Sequence, residues 1–214
     1  RSRGLGDVYK RQGIPAMTAH RCVFADGSVD GKTVLVTGGA GRVGYYAIQW
    51  AKQAGARVIT TASNEADKAA CKAIGADCVV DHRQHNWSEN LLSFTRGETV
   101  DRVIDVEFGA NLPEVLKVIK TSGSIVSYSS SQVKEPQLPF LQMMFMDLTI
   151  RLVLVYAMPE QAKLAAITDI NSKLEHNAFQ HRMAHVLPIT EIVRAHQLIE
   201  QGGFCGCVVL KTSH

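Results

Sequence analysis

Short apolar runs alternate along this chain with longer stretches in which apolar residues recur every three or four positions. The first run, Thr33-Val34-Leu35-Val36, is apolar and β-branched, as expected of a strand buried on both faces of a parallel sheet. Val43, Ala47, Ile48 and Ala51 then recur at helical spacing, with Gln49, Lys52 and Gln53 off that stripe, until Gly55 ends the segment as a C′ glycine would. A second apolar run, ARVITTA, follows, so strand, turn, helix and strand make one right-handed crossover unit. The alternation continues with a helix over Glu65–Ile74 closed by Gly75, a strand over Cys78–Val80, a helix over Trp87–Phe94 and a strand over Val100–Val106. A helix over Leu112–Ile119, strands over Ser124–Tyr128 and Leu148–Tyr156, and a helix over EQAKLAAITDINSKL complete the series. Before the first strand, Ile14–Phe24 suits a lead-in helix, and near the end HRMAHVLP and GCVVLKT read as two short strands flanking the helix TEIVRAHQLIEQ. The pattern predicts an α/β fold with a doubly wound parallel six-stranded sheet of Rossmann type.

The turn after the first strand carries the chemistry. TGGAGRVG, Thr37 to Gly44, places Gly39, Gly41 and Gly44 in the spacing G-x-G-x-x-G. Each glycine has a task that a missing Cβ permits: a tight turn, close approach of backbone N–H groups to a pyrophosphate, and close packing of helix on strand. The aligned peptide dipoles at the helix N-terminus favour the same anion. The turn through Arg42, Val43 and Gly44 is therefore a candidate dinucleotide site, the alternative being an ordinary α/β connection.

Composition narrows the classes. The 214 residues are 46% apolar and 20% charged, and 23 basic against 20 acidic residues leave a formal net charge of +3. That near balance, without a long basic run, offers nothing to nucleic acid. The most apolar window, LPFLQMMFMDLTIRLVLVYAMP, is broken by Pro139, Asp147 and Arg151 and is unsuited to spanning a bilayer. Cys22, Cys71, Cys78, Cys205 and Cys207 show no C-x-x-C pairing and read as thiols of a reducing, cytoplasmic compartment. Arg1 to Gln12 lacks periodicity and reads as a non-native leader, or else as a flexible terminus.

GIPAMTAH, GKTVLVTGGAGRVGYYAIQWAKQAGARVI, the AIGAD turn, VIDVEFGAN and LPITEIVRAHQLIEQGGFCGCVVL together resemble the zinc-independent quinone oxidoreductase branch of the medium-chain dehydrogenase/reductase superfamily, the branch that includes zeta-crystallin. The resemblance runs from Gly13 onward. It implies a dinucleotide-binding domain over residues 13–175 and, over 176–214, a return segment of a GroES-like catalytic domain that nothing before Gly13 resembles. On this reading the chain is a fragment, inactive alone, that lacks that domain. It also implies dimerisation through the sixth strand, whose exposed edge is prone to pairing.

An NAD-preferring site places an acid at the end of the second strand, about 20 residues past the glycines, to accept from the ribose 2′-OH. Here the strand ends Thr60-Thr61-Ala62-Ser63-Asn64. Neutral Ser63 and Asn64 leave room for a 2′-phosphate, Lys68 offers counter-charge, and NADPH is the favoured cofactor, as the resemblance also implies. Two departures stand out: the lysine falls one position later than in that family, with Asp67 in its place, and His82 occupies a position often held by tyrosine. His82 reads equally as a phosphate partner or a solvated histidine, and Arg42 as a phosphate fork or a solvent-facing side chain. By resemblance, Thr18 lies beside the nicotinamide, and Val106, Tyr128 and Ser129 line the cofactor cleft. Glu107 reads as an exposed strand-end acid, the other reading being a polar group near the nicotinamide ribose. His176, His181, His185 and His196 lack a carboxylate or cysteine set with ligand spacing, and Cys205 suits a packing role better than a nucleophilic one.

The expected function is hydride transfer from NADPH to a quinone or an activated α,β-unsaturated carbonyl, a small-molecule substrate. The alternatives are a zinc-type alcohol dehydrogenase of the same superfamily, whose ligands would lie mostly in the absent domain, and a non-catalytic NADPH-binding protein.

Overall fold

Alternate residues of each central strand enter two different cores. Val34, Val36, Val58, Ile104 and Val126 pack on one face of the sheet, whereas Leu35, Ile59, Val103 and Ile125 pack on the other. This is the period of two expected of strands buried on both sides. The computed structural model describes residues 5–84 and 86–212, with side chains from Gly13 onward. The leader expected over residues 1–12 therefore has residues 1–4 and all its side chains outside the described residues.

In chain order the elements are α1 (Leu5–Phe24), β1 (Thr33–Val36), α2 (Arg42–Gln53), β2 (Arg57–Thr61), α3 (Glu65–Ala73), β3 (Cys78–Val80), α4 (Trp87–Thr95) and β4 (Val100–Asp105). Then come α5 (Phe108–Val118), β5 (Ile119–Ser127), α6 (Phe140–Phe145), β6 (Thr149–Leu152) and α7 (Glu160–Glu175). The last elements are β7 (Met183–Pro188), α8 (Ile192–Gln201) and β8 (Cys207–Lys211). Six strands form one parallel sheet in the order β3-β2-β1-β4-β5-β6. Leu35 lies opposite both Ile59 and Val103, and Ile125 lies opposite Ile150. The order reverses between β1 and β4, which opens a crevice at their carboxyl ends, where doubly wound sheets bind ligands.

Helices α1, α2, α3 and α7 cover the first core, and α4 and α5 the second. On α1 a stripe of Ala16, Ala19 and Val23 is fully buried, and the Trp50 indole of α2 donates to the Ala16 carbonyl at 3.2 Å. The end of α1 is fastened to the sheet by charge. The buried Arg102 guanidinium donates to the carbonyl of Val23 in the last turn of α1 and to those of Asp26 and Gly27 just beyond it. Arg151 of β6 pairs with the Asp26 carboxylate.

Several elements differ from the sequence expectation, among them α5, which begins at Phe108 rather than Leu112. Helix α1 extends back to Leu5 rather than starting at Ile14. β6 ends at Leu152 instead of continuing to Tyr156, because residues 155–157 wind into a 3-10 turn. β5 begins at Ile119, ahead of Ser124, through an irregular stretch that contains a register shift and a left-handed Ser122 (φ 59°). Helix α6 was not legible at all, since its apolar residues Phe140, Leu141, Met144 and Phe145 are largely exposed and show no buried stripe. β7 and β8 pair in parallel as a separate two-stranded sheet.

Candidate cofactor site

Thr37 closes β1 and welds it to β4. Its hydroxyl donates to Asp105 Oδ1 at 2.5 Å and accepts from the Val106 amide at 2.9 Å. The next residues turn sharply: Gly38 has φ +62°, its amide donates to the Thr61 hydroxyl at 2.8 Å, and the Gly39 amide donates to the Thr61 carbonyl at 3.0 Å. The turn thus sits against the carboxyl end of β2. A Cβ on Gly39 would run into the Thr60 hydroxyl and stand 2.7 Å from Ile48 Cδ1. One on Gly44 would run into the Gly38 carbonyl and stand 2.9 Å from Gly39 Cα. Gly41 is different: it is the exposed N-cap of α2, no side chain caps it, and its nearest neighbour would be the Gly38 carbonyl at 3.1 Å. Gly39 and Gly44 are required for packing, whereas Gly41 keeps the approach to the first turn of α2 open.

Asp105 is the hub beneath this turn. It is fully buried; Oδ1 also accepts from the Asn111 amide at 2.7 Å, whereas Oδ2 has no partner. Burial raises its pKa above the ordinary carboxylate range against the hydrogen bonds from Thr37 and Asn111, which lower it.

Three cavities line the carboxyl edge of the sheet. One of about 360 Å³ lies among the ends of β1 to β4 and is bordered by Gly38, Thr61, His82, Arg83, Val106 and Glu107. A second, of about 440 Å³, separates Gly41 and Arg42 from the segment 202–208. A third, of about 530 Å³, lies at the ends of β5 and β6 and is bordered by Tyr128, Ser129 and Leu152 among others.

The expected site residues are distributed as follows. Gly38 packs beneath Val106, since a Cβ there would stand 2.9 Å from Val106 Cγ1. Tyr128 is half-buried and its hydroxyl pKa is pushed up, chiefly by burial. The Ser129 carbonyl accepts from the Phe108 amide at 3.0 Å. Arg42 is exposed, Val43 half-buried and Ser63 half-buried. Asn64 caps α3, accepting from the Asp67 amide and donating to the Asp67 carboxylate, both at 2.8 Å. Lys68 is ion-paired with Glu65 at 2.8 Å and approaches Asp81 at 3.7 Å. His82 stands on the rim of the first cavity, and partial burial pulls its pKa below the ordinary value, which favours the neutral ring over the cation. Thr18 is buried in α1 with its hydroxyl donating to the Ile14 carbonyl at 2.8 Å.

Glu107 corrects an expectation. It is buried rather than exposed, and its carboxylate accepts from the amides of Ser131 and Gln132, both at 2.9 Å, and from the Ser131 hydroxyl at 2.7 Å. Burial alone would raise its pKa, but these hydrogen bonds outweigh it and hold the carboxyl below its ordinary range. The residue anchors the loop after β5 beside the first cavity.

Sequence reasoning missed Arg182. Its guanidinium donates to the Ala40 carbonyl inside the glycine turn at 3.2 Å and to Asp67 Oδ1 at 2.5 Å. Cys205, also in the C-terminal segment, donates to Asp67 Oδ2 at 3.4 Å. Nothing local marks Arg182 as a site residue, since its partners lie far away in sequence. Among the described residues no group of three or more His, Cys, Asp or Glu side chains is placed to hold a metal ion. The glycine turn does fit a dinucleotide: Gly41 leaves the first turn of α2 exposed and without a side-chain cap, while Gly39 and Gly44 let the helix close on the turn.

A family model described as zinc-binding dehydrogenase matches residues 43–170. Among curated proteins, the quinone oxidoreductase of Pongo abelii is 30% identical over 119 residues, covering 55% of this chain and 36% of the relative. A zinc-type alcohol dehydrogenase-like protein of Staphylococcus aureus (strain COL) is 28% identical over 193 residues, covering 85% of this chain and 55% of the relative. Among solved structures, an NAD-dependent alcohol dehydrogenase superposes with a TM-score of 0.79 at 28% identity, covering 94% of this chain and 57% of that one. A mycobacterial quinone oxidoreductase superposes with a TM-score of 0.83 at 25% identity, covering 94% and 63%. The chain spans less than two thirds of the length of each of these relatives.

Proposed function

The chain belongs to the zinc-binding dehydrogenase family, within the medium-chain dehydrogenase/reductase superfamily, and from that premise we propose that it binds NADPH as the cofactor domain of an oxidoreductase of the quinone oxidoreductase branch. The acceptor is a quinone or an activated enone. The observation that carries this reading is the glycine turn, whose backbone closes on β2 and leaves the N-terminus of α2 uncapped beside an open cavity. The quinone oxidoreductase relatives support the branch. The absence of an acid in the stretch Ala62-Ser63-Asn64 supports the 2′-phosphate.

In this reading the amides of Arg42, Val43 and Gly44 receive the pyrophosphate, and the helix dipole adds to their pull. The first cavity takes the adenosine, with Arg83 and His82 at its rim. Val106, Tyr128 and Ser129 wall the path from the turn toward the third cavity, which in this reading receives the reacting end of the cofactor. Bound there, the nicotinamide supplies the hydride. The Thr37–Asp105 bond holds the ends of β1 and β4 together at the floor of the cleft. A homodimer is also proposed, because β6 is a sheet edge flanked by Leu152, Leu154 and Tyr156, exposed at 74%, 60% and 71%. The five cysteines are free thiols, which fits a reducing compartment such as the cytoplasm.

Calorimetry with each cofactor tests the reading: NADPH is expected to bind more tightly than NADH, and equal affinities or tighter NADH binding would overturn it. The Staphylococcus aureus relative, which covers more of the chain, favours a second reading as a zinc-type alcohol dehydrogenase. Metal analysis of the protein together with substrate-dependent NADPH oxidation separates the two, and also separates either enzyme from a non-catalytic NADPH-binding protein.

A further inference from the structure

The segment from Ala178 to Arg182 runs along one face of α2, from its C-terminal end toward the glycine turn. Gln53 donates to the Ala178 carbonyl at 2.8 Å. Gln49 donates to the Gln180 carbonyl at 3.1 Å and accepts from the Gln180 amide at 2.8 Å. The Tyr46 hydroxyl meets His181 Nδ1 at 3.0 Å. Residues 46, 49 and 53 share a helix face, so these bonds form a strap that ends with Arg182 at the turn itself. There the guanidinium bridges the Ala40 carbonyl and the Asp67 carboxylate.

Asp67 is the reason this bridge matters. It is 6% exposed and lies in the first turn of α3, directly after the carboxyl end of β2. That strand end is where a dinucleotide-binding sheet meets the adenosine ribose. An uncompensated carboxylate there would repel a 2′-phosphate and would suit a free 2′-hydroxyl. Lys68 does not offset it, being ion-paired with Glu65 and close to Asp81.

We propose that Arg182 is a specificity-determining positioning residue: supplied by the C-terminal segment, it neutralises Asp67 and fixes the glycine turn through Ala40, and so makes the ribose side of the cleft accept the 2′-phosphate of NADPH. This deepens the NADPH reading above and rests on it. The same bridge places the β7–β8 unit in contact with the cofactor turn, so cofactor choice depends on a segment outside the six-stranded sheet.

The test is calorimetric titration of the whole chain with NADPH and with NADH, on the wild type and on R182M, D67N and the double variant, each first melted to establish that it is folded. In R182M the ratio of NADPH to NADH affinity should fall by about tenfold, the size of one uncompensated charge beside a phosphate. In D67N the ratio should rise above the wild-type value, because the Arg182 charge is no longer offset by Asp67, and in the double variant it should recover from the R182M value. D67N reads the effect even if R182M does not fold. A ratio unchanged in R182M, a ratio unchanged or lowered in D67N, or a double variant that does not recover would overturn the role of Arg182 while leaving NADPH binding standing. A wild-type chain that binds neither cofactor would overturn the cofactor reading, and the role of Arg182 with it.

Discussion

Adding a single methyl group at two of the glycines separates the packing role of the turn from its binding role. A Cβ on Gly44 meets only backbone, the Gly38 carbonyl and the Gly39 Cα at 2.9 Å. Backbone within a turn already bonded to Thr61 cannot shift without breaking the Gly38 and Gly39 hydrogen bonds. Overpacking of this kind costs about 3 kcal/mol, so Gly44→Ala should lower Tm by roughly 6–12 °C for a chain of this size. Gly41→Ala meets only the Gly38 carbonyl at 3.1 Å, and its φ of −70° suits any residue. Reduced unfolded-state entropy offsets the weaker N-cap, so its stability should change by less than about 1 kcal/mol. The new methyl nevertheless stands over the first amides of α2. Loss of one charge-assisted contact there should weaken NADPH binding about ten- to a hundredfold. Scanning calorimetry and NADPH titration of both variants provide the measurement. A Gly44→Ala protein that melts like the wild type would refute the packing argument, and a Gly41→Ala protein that binds NADPH at full affinity would refute the close approach of the phosphates.

Asp105 makes stability fall as pH rises, because its pKa in the folded protein lies above its unfolded value of about 4. Below that value the carboxyl is protonated in both states and no penalty arises; above it the penalty grows until pH passes the folded pKa. Asp105→Asn should therefore gain stability relative to the wild type between pH 4 and pH 8, as read by urea unfolding at each pH, and a difference independent of pH would count against the buried, unpartnered Oδ2 as its source. Leu152→Glu, at a position 74% exposed at the sheet edge, should leave Tm within a degree or two of the wild type and abolish self-association in light scattering; a wild-type chain that stays monomeric at high concentration would sink the proposed interface.

The periodicity of the chain determined the element series, the parallel sheet and the location of the glycine turn. These depend on local regularities: apolar runs where a strand is buried on both faces, helical stripes where a helix lies on the sheet, and glycines where backbone meets backbone. Short β3 was legible because the turns around it are strong, whereas α6 was not, because its apolar residues face outward. The lack of an acid in Ala62-Ser63-Asn64 was equally local. What the tertiary structure decided is where charges find partners. Glu107 follows a strand, as an exposed acid would, yet the returning loop at Ser131 and Gln132 buries it. Lys68 reads as a spare cation until β3 brings Asp81 beside it. Arg182 meets Asp67 across 115 residues, and Asp105 loses a partner for one oxygen only because β1, β4 and α5 converge around it. A hydrophobic pattern encodes which side of an element is buried, and that is shared by many residues at once. An ion pair is a property of two side chains set by the whole fold, so no local stretch of sequence contains it.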